Sequence, residues 1–319
     1  MIVRGLHFSF DAHGDAALAT LLYPGDDGRL DEARLTGQVP AIETGALWPV
    51  VVIMPGINVA PDSYRWLARR LVADGLCVVT YAAIGSLGPA GRGITPGIDL
   101  AALAPDTIGT RPSSTALGPL LAHLAELAAD EHTPVAGHLD LGRVVVGGHS
   151  AGGTAALHNS ETGWVPGLQA VFAYGAHTMV ATALGHGEAA VISIPAKVPI
   201  MLLAGADDRV IAASRDRYRS DDGAHEPVRR TFAEAIHRQQ GDSWLVELAG
   251  AGHFAICDPV DTTSGRSFLE TDSAKTDPAV RELLGDLIAA FIAASLARPS
   301  GVSMEQLVDR PSVRHWDRR

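Results

Sequence analysis

Arg143-Val144-Val145-Val146-Gly147-Gly148-His149-Ser150-Ala151-Gly152-Gly153 is the stretch that decides how this chain folds. A β-branched run without a polar interruption reads as a strand buried on both faces. Two glycines end it, and Ser150 to Asn159 reads as a helix. A strand delivered straight into a helix through a glycine-rich turn is the joint of a βα unit. Gly148, Ser150 and Gly152 also fit the spacing G-x-S-x-G. Small residues two before and two after a serine let neighbouring backbones approach and leave the hydroxyl exposed above the sheet.

The same alternation extends in both directions. Val50 to Met54, Leu76 to Tyr81, Ala170 to Tyr174, Ile200 to Ala204 and Trp244 to Leu248 read as further buried strands. Helical periodicity falls on Ser63 to Asp74, Leu117 to Ala129, Val228 to Gln239 and Pro278 to Ala297. Unbroken apolar strands separated by helices predict an α/β fold with a mostly parallel central sheet and helices on both faces. One domain is expected over residues 1–299, with a small lid at about 177–195 and a polar tail over 300–319. Ala83 to Ser114 reads as a Gly/Pro-rich connection, and Phe254 to Thr276 as an Asp/Thr/Ser-rich loop.

With 47% hydrophobic and only 19% charged residues, the 319-residue chain has the material for a large core and does not read as disordered. Its net charge of −11 argues against a nucleic-acid or anionic-membrane partner, because both need a basic face. Cys77 and Cys257 are too few for a disulfide framework and have no metal-ligand spacing. Asp258, Asp261 and Asp272 lack the regular spacing and glycine of a calcium loop and read as a solvated acidic loop. No cofactor or metal is expected. The N-terminal residues do not resemble a signal peptide, and no window is long and apolar enough to span a membrane, so a cytoplasmic location is expected.

Serine is a poor nucleophile unless a neighbouring base takes its proton, and that base needs a carboxylate to hold its tautomer. The Ile200 strand ends in Gly205-Ala206-Asp207-Asp208, and the Trp244 strand leads to Gly250-Ala251-Gly252-His253-Phe254. All three loops leave the same end of a parallel sheet. Ser150, an aspartate and His253 therefore form a candidate catalytic constellation. Adjacent side chains in an extended segment point apart, so only one of Asp207 and Asp208 reaches the histidine.

From about residue 48 to 297 the chain resembles the α/β-hydrolase superfamily. Its closer likeness is to the branch of cutinase-type polyester hydrolases, chlorophyllases and platelet-activating-factor acetylhydrolases. Met54-Pro55-Gly56, Ser63-Tyr64-Arg65-Trp66-Leu67-Ala68 and Leu71-Val72-Ala73-Asp74-Gly75 carry this likeness, together with the elbow. The resemblance implies a serine esterase with Ser150, Asp208 (from the pattern G-x-x-D) and His253 as its triad. It implies an oxyanion hole made by the backbone amides of Ile57 and Ala151. Polyester hydrolases usually carry an aromatic residue where Ile57 stands, so small or medium soluble esters are the expected partners. Asn58, His149, His177 and Phe254 are candidate substrate contacts. Lactonase, thioesterase, amidase and acyltransferase chemistry on the same triad stays open, as does a non-catalytic ligand-binding role.

Overall fold

The computed structural model describes residues 1–218, 226–270 and 276–319. Its strands are β1 (Ile2–Ala12), β2 (Asp15–Gly25), β3 (Trp48–Met54), β4 (Cys77–Ser86), β5 (Arg92–Thr95), β6 (Leu139–His149), β7 (Leu168–Tyr174), β8 (Ile200–Gly205), β9 (Trp244–Leu248) and β10 (Val313–Arg318). Its helices are α1 (Leu30–Thr36), α2 (Arg65–Ala73), α3 (Leu117–Ala129), α4 (Ala151–His158), α5 (Arg209–Ala212), α6 (Arg215–Tyr218), α7 (Glu226–Arg230), α8 (Pro278–Ser295) and α9 (Met304–Val308).

The strands join in one mixed sheet of order β1-β2-β4-β3-β6-β7-β8-β9-β10, with β5 paired to β4. From β4 to β9 every pairing is parallel, whereas β1, β2, β5 and β10 join antiparallel. The unbroken apolar runs are the strands with both faces covered. Val50, Val52 and Met54 pack on one side with Leu120 and Leu124 of α3, while Val51 and Ile53 pack on the other with Leu71 of α2 and Leu287 of α8. The parallel α/β core with helices on both faces follows directly from the pattern of the sequence.

Four segments depart from the sequence reading. The first 25 residues form the β1–β2 hairpin, whose turn puts His13 and Gly14 at φ 56° and 93°, the two positive values of a type I′ connection. Within the expected loop Ala83 to Ser114, β4 runs on to Ser86, and β5 folds back on it through the pairs Ala83–Thr95 and Ser86–Arg92. The helix expected over Val228 to Gln239 stops early: α7 gives way to a π turn over Thr231–Ala235. There the Thr231 hydroxyl donates to the Pro227 carbonyl at 2.8 Å, a back-bond that loosens a helix.

Residues 300–319, expected as a tail, form α9 and β10. Met304, Leu307 and Val308 are buried, and β10 pairs with β9, where Arg318 lies 4.6 Å over the Trp244 ring. Across residues 177–195 the chain makes a bridge between Met179 and Val191 and a short turn at Thr182–Leu184, and it lines the cavity described next. Among the described residues no helix is long and apolar enough to cross a membrane.

Candidate active site

The turn after β6 is held by contacts between backbones. Ser150 sits at φ 54° and ψ −122°, a conformation that costs a side-chain-bearing residue roughly 1–3 kcal/mol. Its amide donates to the Tyr174 carbonyl at 2.9 Å, at the end of the neighbouring β7. A Cβ on Gly152 would stand 2.2 Å from the Met54 oxygen, and one on Gly148 would stand 2.3 Å from the Gly152 carbonyl carbon. The glycines are therefore required by the close packing of β3, β6 and α4.

The candidate acid and base, Asp208 and His253, follow the ends of β8 and β9. His253 Nδ1 donates to Asp208 Oδ2 at 2.7 Å, and both side chains are buried. Asp208 also caps α5, its Oδ1 accepting the Ile211 amide at 2.8 Å. Asp207 is exposed and its amide is bound to the Ala251 carbonyl, so of the two adjacent aspartates the structure brings Asp208 to the histidine. Gly175 lies beneath the pair, where a Cβ would stand 3.0 Å from His253 Nδ1. Burial disfavours the imidazolium of His253, but the Asp208 carboxylate and, further off, Glu270 favour it, and the net shift is upward.

Glu270 is a residue that the sequence did not announce. It is buried, and its Oε1 accepts the amides of His253 at 2.8 Å and Arg209 at 3.0 Å. Its Oε2 lies 3.5 Å from the Phe254 amide and fills the space that a Cβ on Gly252 would need. One carboxylate thus ties the loop of the acid to the loop of the base. Desolvation pushes its pKa up, opposed by these amides.

His149 is expected as a substrate contact, but both of its ring nitrogens are engaged inside the protein. The Gly56 amide donates to Tyr64 Oη at 3.0 Å, and the Tyr64 hydroxyl donates to His149 Nδ1 at 3.0 Å. His149 Nε2 donates to the His253 carbonyl, also at 3.0 Å. A carbonyl can only accept, which fixes the tautomer and the direction of the whole chain. Burial holds the His149 imidazole neutral. Trp66 adds a bond from its indole N–H to the Ile256 carbonyl at 2.7 Å, so the Tyr-x-Trp pair of the sequence braces both rims of the site. Buried Cys257 packs against His149 with Sγ 4.0 Å from Nδ1.

A cavity of about 580 Å³ opens over these groups, and Ser150 and His253 both line it. Ile57 and Ala151 also line it, and among the described residues neither of their amides has a protein acceptor. The Ser150 hydroxyl likewise forms no hydrogen bond among the described residues, with His253 or with any other group. Asn58 lines the cavity at φ 55°, yet its side-chain oxygen accepts the Ile94 amide at 3.1 Å, so it clamps β5 to this loop. Phe254 forms wall, its ring 5.1 Å from that of His253. His177 reaches the cavity from the end of β7 with an unpartnered Nδ1, and burial lowers its pKa to about 4.

Among the described residues no group of three or more His, Cys, Asp or Glu is placed to hold a metal ion. Asp261 is occupied within its own loop, accepting the Thr263 amide at 2.8 Å, and Asp258 pairs with Arg281; Asp272 lies outside the described residues. Set against known proteins, the chain matches no family model, and no curated protein matches it.

Proposed function

We propose that this chain is a serine hydrolase of the α/β-hydrolase fold that cleaves carboxylic esters through an acyl-enzyme. The observation that carries the reading is one cavity lined by both a strained serine turn and a histidine whose far side is hydrogen-bonded to a buried aspartate. Loops after β6, β8 and β9 bring the three groups in the chain order Ser, Asp, His, which supports the fold assignment.

In this reading Ser150 Oγ attacks the ester carbonyl and its proton passes to His253 Nε2. Asp208 holds the opposite nitrogen, stabilises the imidazolium and stays ionised. The Ile57 and Ala151 amides donate to the oxyanion, with α4 directing its N-terminus at the same place. His253 then gives its proton to the departing alkoxide, leaving the acyl group on Ser150. A water activated by His253 repeats the sequence and releases the acid.

A fluorophosphonate probe and 4-nitrophenyl butyrate test this directly. One probe should attach per chain, at Ser150, and Ser150→Ala should lose turnover by about a millionfold. Retention of more than about one percent of the activity in Ser150→Ala would remove the serine from the mechanism.

A further inference from the structure

The charges that face the cavity are one-sided. In a chain with 36 acidic and 25 basic residues, none of the described residues lining this cavity is an aspartate or glutamate, yet Arg266 and, at the exposed edge, Arg217 both line it. Several arginines elsewhere find carboxylates, as Arg70 does with Asp286, Arg111 with Asp99 and Arg229 with Glu247, while Arg4, Arg298 and Arg319 donate to backbone carbonyls. Among the described residues neither Arg217 nor Arg266 is paired with one. Burial holds the cavity's His149, His158 and His177 neutral, so they do not share in this charge.

The position of Arg266 is built. The preceding Ser264 hydroxyl donates to the Asn58 carbonyl at 2.9 Å, and Gly265 lies against the Ile57 carbonyl, which sets this loop on the oxyanion side. Arg266 Nη1 then donates to Ser214 Oγ at 2.7 Å, and that hydroxyl donates onward to the Val210 carbonyl at 2.8 Å. The guanidinium is half-buried and anchored by a neutral group, with its remaining donors unclaimed by any carboxylate among the described residues. Arg217 stands on α6, one turn after Ser214. A planar fork lining the same cavity as Ser150, with no carboxylate on it among the described residues, matches carboxylate, phosphate or sulfate geometry.

Resting on the ester-hydrolase reading, we propose that Arg217 and Arg266 form an anion-recognition site and that the substrate is an ester bearing a negatively charged group. The neutral part of such a substrate packs on the apolar wall, where Leu103, Met179 and Leu184 stand. The charge is held at the guanidinium side, and neutral esters of the same length are poorer substrates.

Two matched pairs locate the charge. On the acyl side, mono-4-nitrophenyl adipate is compared with 4-nitrophenyl hexanoate. On the leaving side, 4-acetoxybenzenesulfonate is compared with 4-acetoxybenzenesulfonamide. The ratio of kcat/KM within a pair cancels the fraction of folded enzyme, so each variant is its own control. In at least one pair the anionic-to-neutral ratio should fall about tenfold or more in Arg266→Gln and again in Arg217→Gln, as for loss of a charge-assisted contact. Arg266→Lys should recover part of it, and added salt should reduce the wild-type ratio. Binding of mono-methyl adipate and benzenesulfonate to Ser150→Ala, with and without Arg266→Gln, is measured by calorimetry and answers the same question without chemistry. Ratios and affinities unchanged within about twofold in both pairs would overturn the anion site. Absence of turnover of every ester, with arginine-dependent binding retained, would overturn the hydrolase reading and leave the anion site standing.

Discussion

Around Ser150 position is enforced by backbone meeting backbone. Gly148 and Gly152 have no room for a Cβ, and the serine amide is bonded to a strand carbonyl. Around His253 position is enforced by side chains brought from afar: Asp208 on its Nδ1, Glu270 on its amide and His149 on its carbonyl. The first arrangement is all or nothing, because a methyl group cannot be accommodated without moving a strand. The second is divisible, since each side chain can be trimmed and its share of the work measured. The two halves should therefore fail in different ways.

After loss of the serine itself, the largest effect is expected where the divisible half meets the proposed chemistry. Asp208→Asn should lower turnover by about ten-thousandfold, since the imidazole then takes the wrong tautomer. Asp207→Asn, on an exposed side chain, should change it by less than about twofold. Steady-state kinetics on the two variants would show the reverse if the carboxylate orientation were misassigned.

Gly152→Ala should act on the fold. With a Cβ 2.2 Å from the Met54 oxygen, β3 and α4 must part, and the loss should exceed about 3 kcal/mol in urea unfolding. A soluble variant of near wild-type midpoint would show that the elbow has more give than its packing allows.

Glu270 should give a graded response. Glu270→Ala strands two or three buried amides and should reduce kcat/KM by about ten- to a hundredfold, at roughly 1–3 kcal/mol. Glu270→Gln keeps an acceptor, so it should recover much of that loss but not the charge. In the proposed hydrolysis His253 must be neutral to take the serine proton, so wild-type activity should rise with pH through a midpoint above the ordinary histidine value of 6.5. Asp208, Glu270, His149 and His177 are the titratable groups packed around that ring. Removing the Glu270 charge should move the midpoint down, whereas a purely structural role would leave it in place.

This contrast also explains what was legible in the sequence. Ser150, the glycines beside it and the parallel strands could be read because each position demands a residue type. His253 and an aspartate at 207 or 208 could be singled out by residue type, whereas the choice of Asp208 comes from the family resemblance. Glu270 could not, because its partners are backbone amides, which every residue has, and its loop is as polar as any solvated one. Arg266 is hidden for another reason: its anchor is the hydroxyl of Ser214, far away in sequence. The β1–β2 hairpin is written in the alternation Leu6, Phe8, Phe10 and in the His13-Gly14 turn, a signal that a search for unbroken apolar runs passes over. β10 is mostly polar, and Trp316 stacking near Trp244 explains its place only once β9 is known to be its neighbour.

The backbone of Ser150 has one more consequence. At φ 54° and ψ −122° the chain occupies a region that suits glycine, and a Cβ there is tolerated only because the surroundings compel it. Ser150→Gly would relax that strain, and a differential scan should show the inert protein melting a few degrees above the intact one, for about 1–2 kcal/mol regained. A side chain held at this turn is a standing thermal handicap, so heat tolerance and the proposed reactivity would pull this one position in opposite directions.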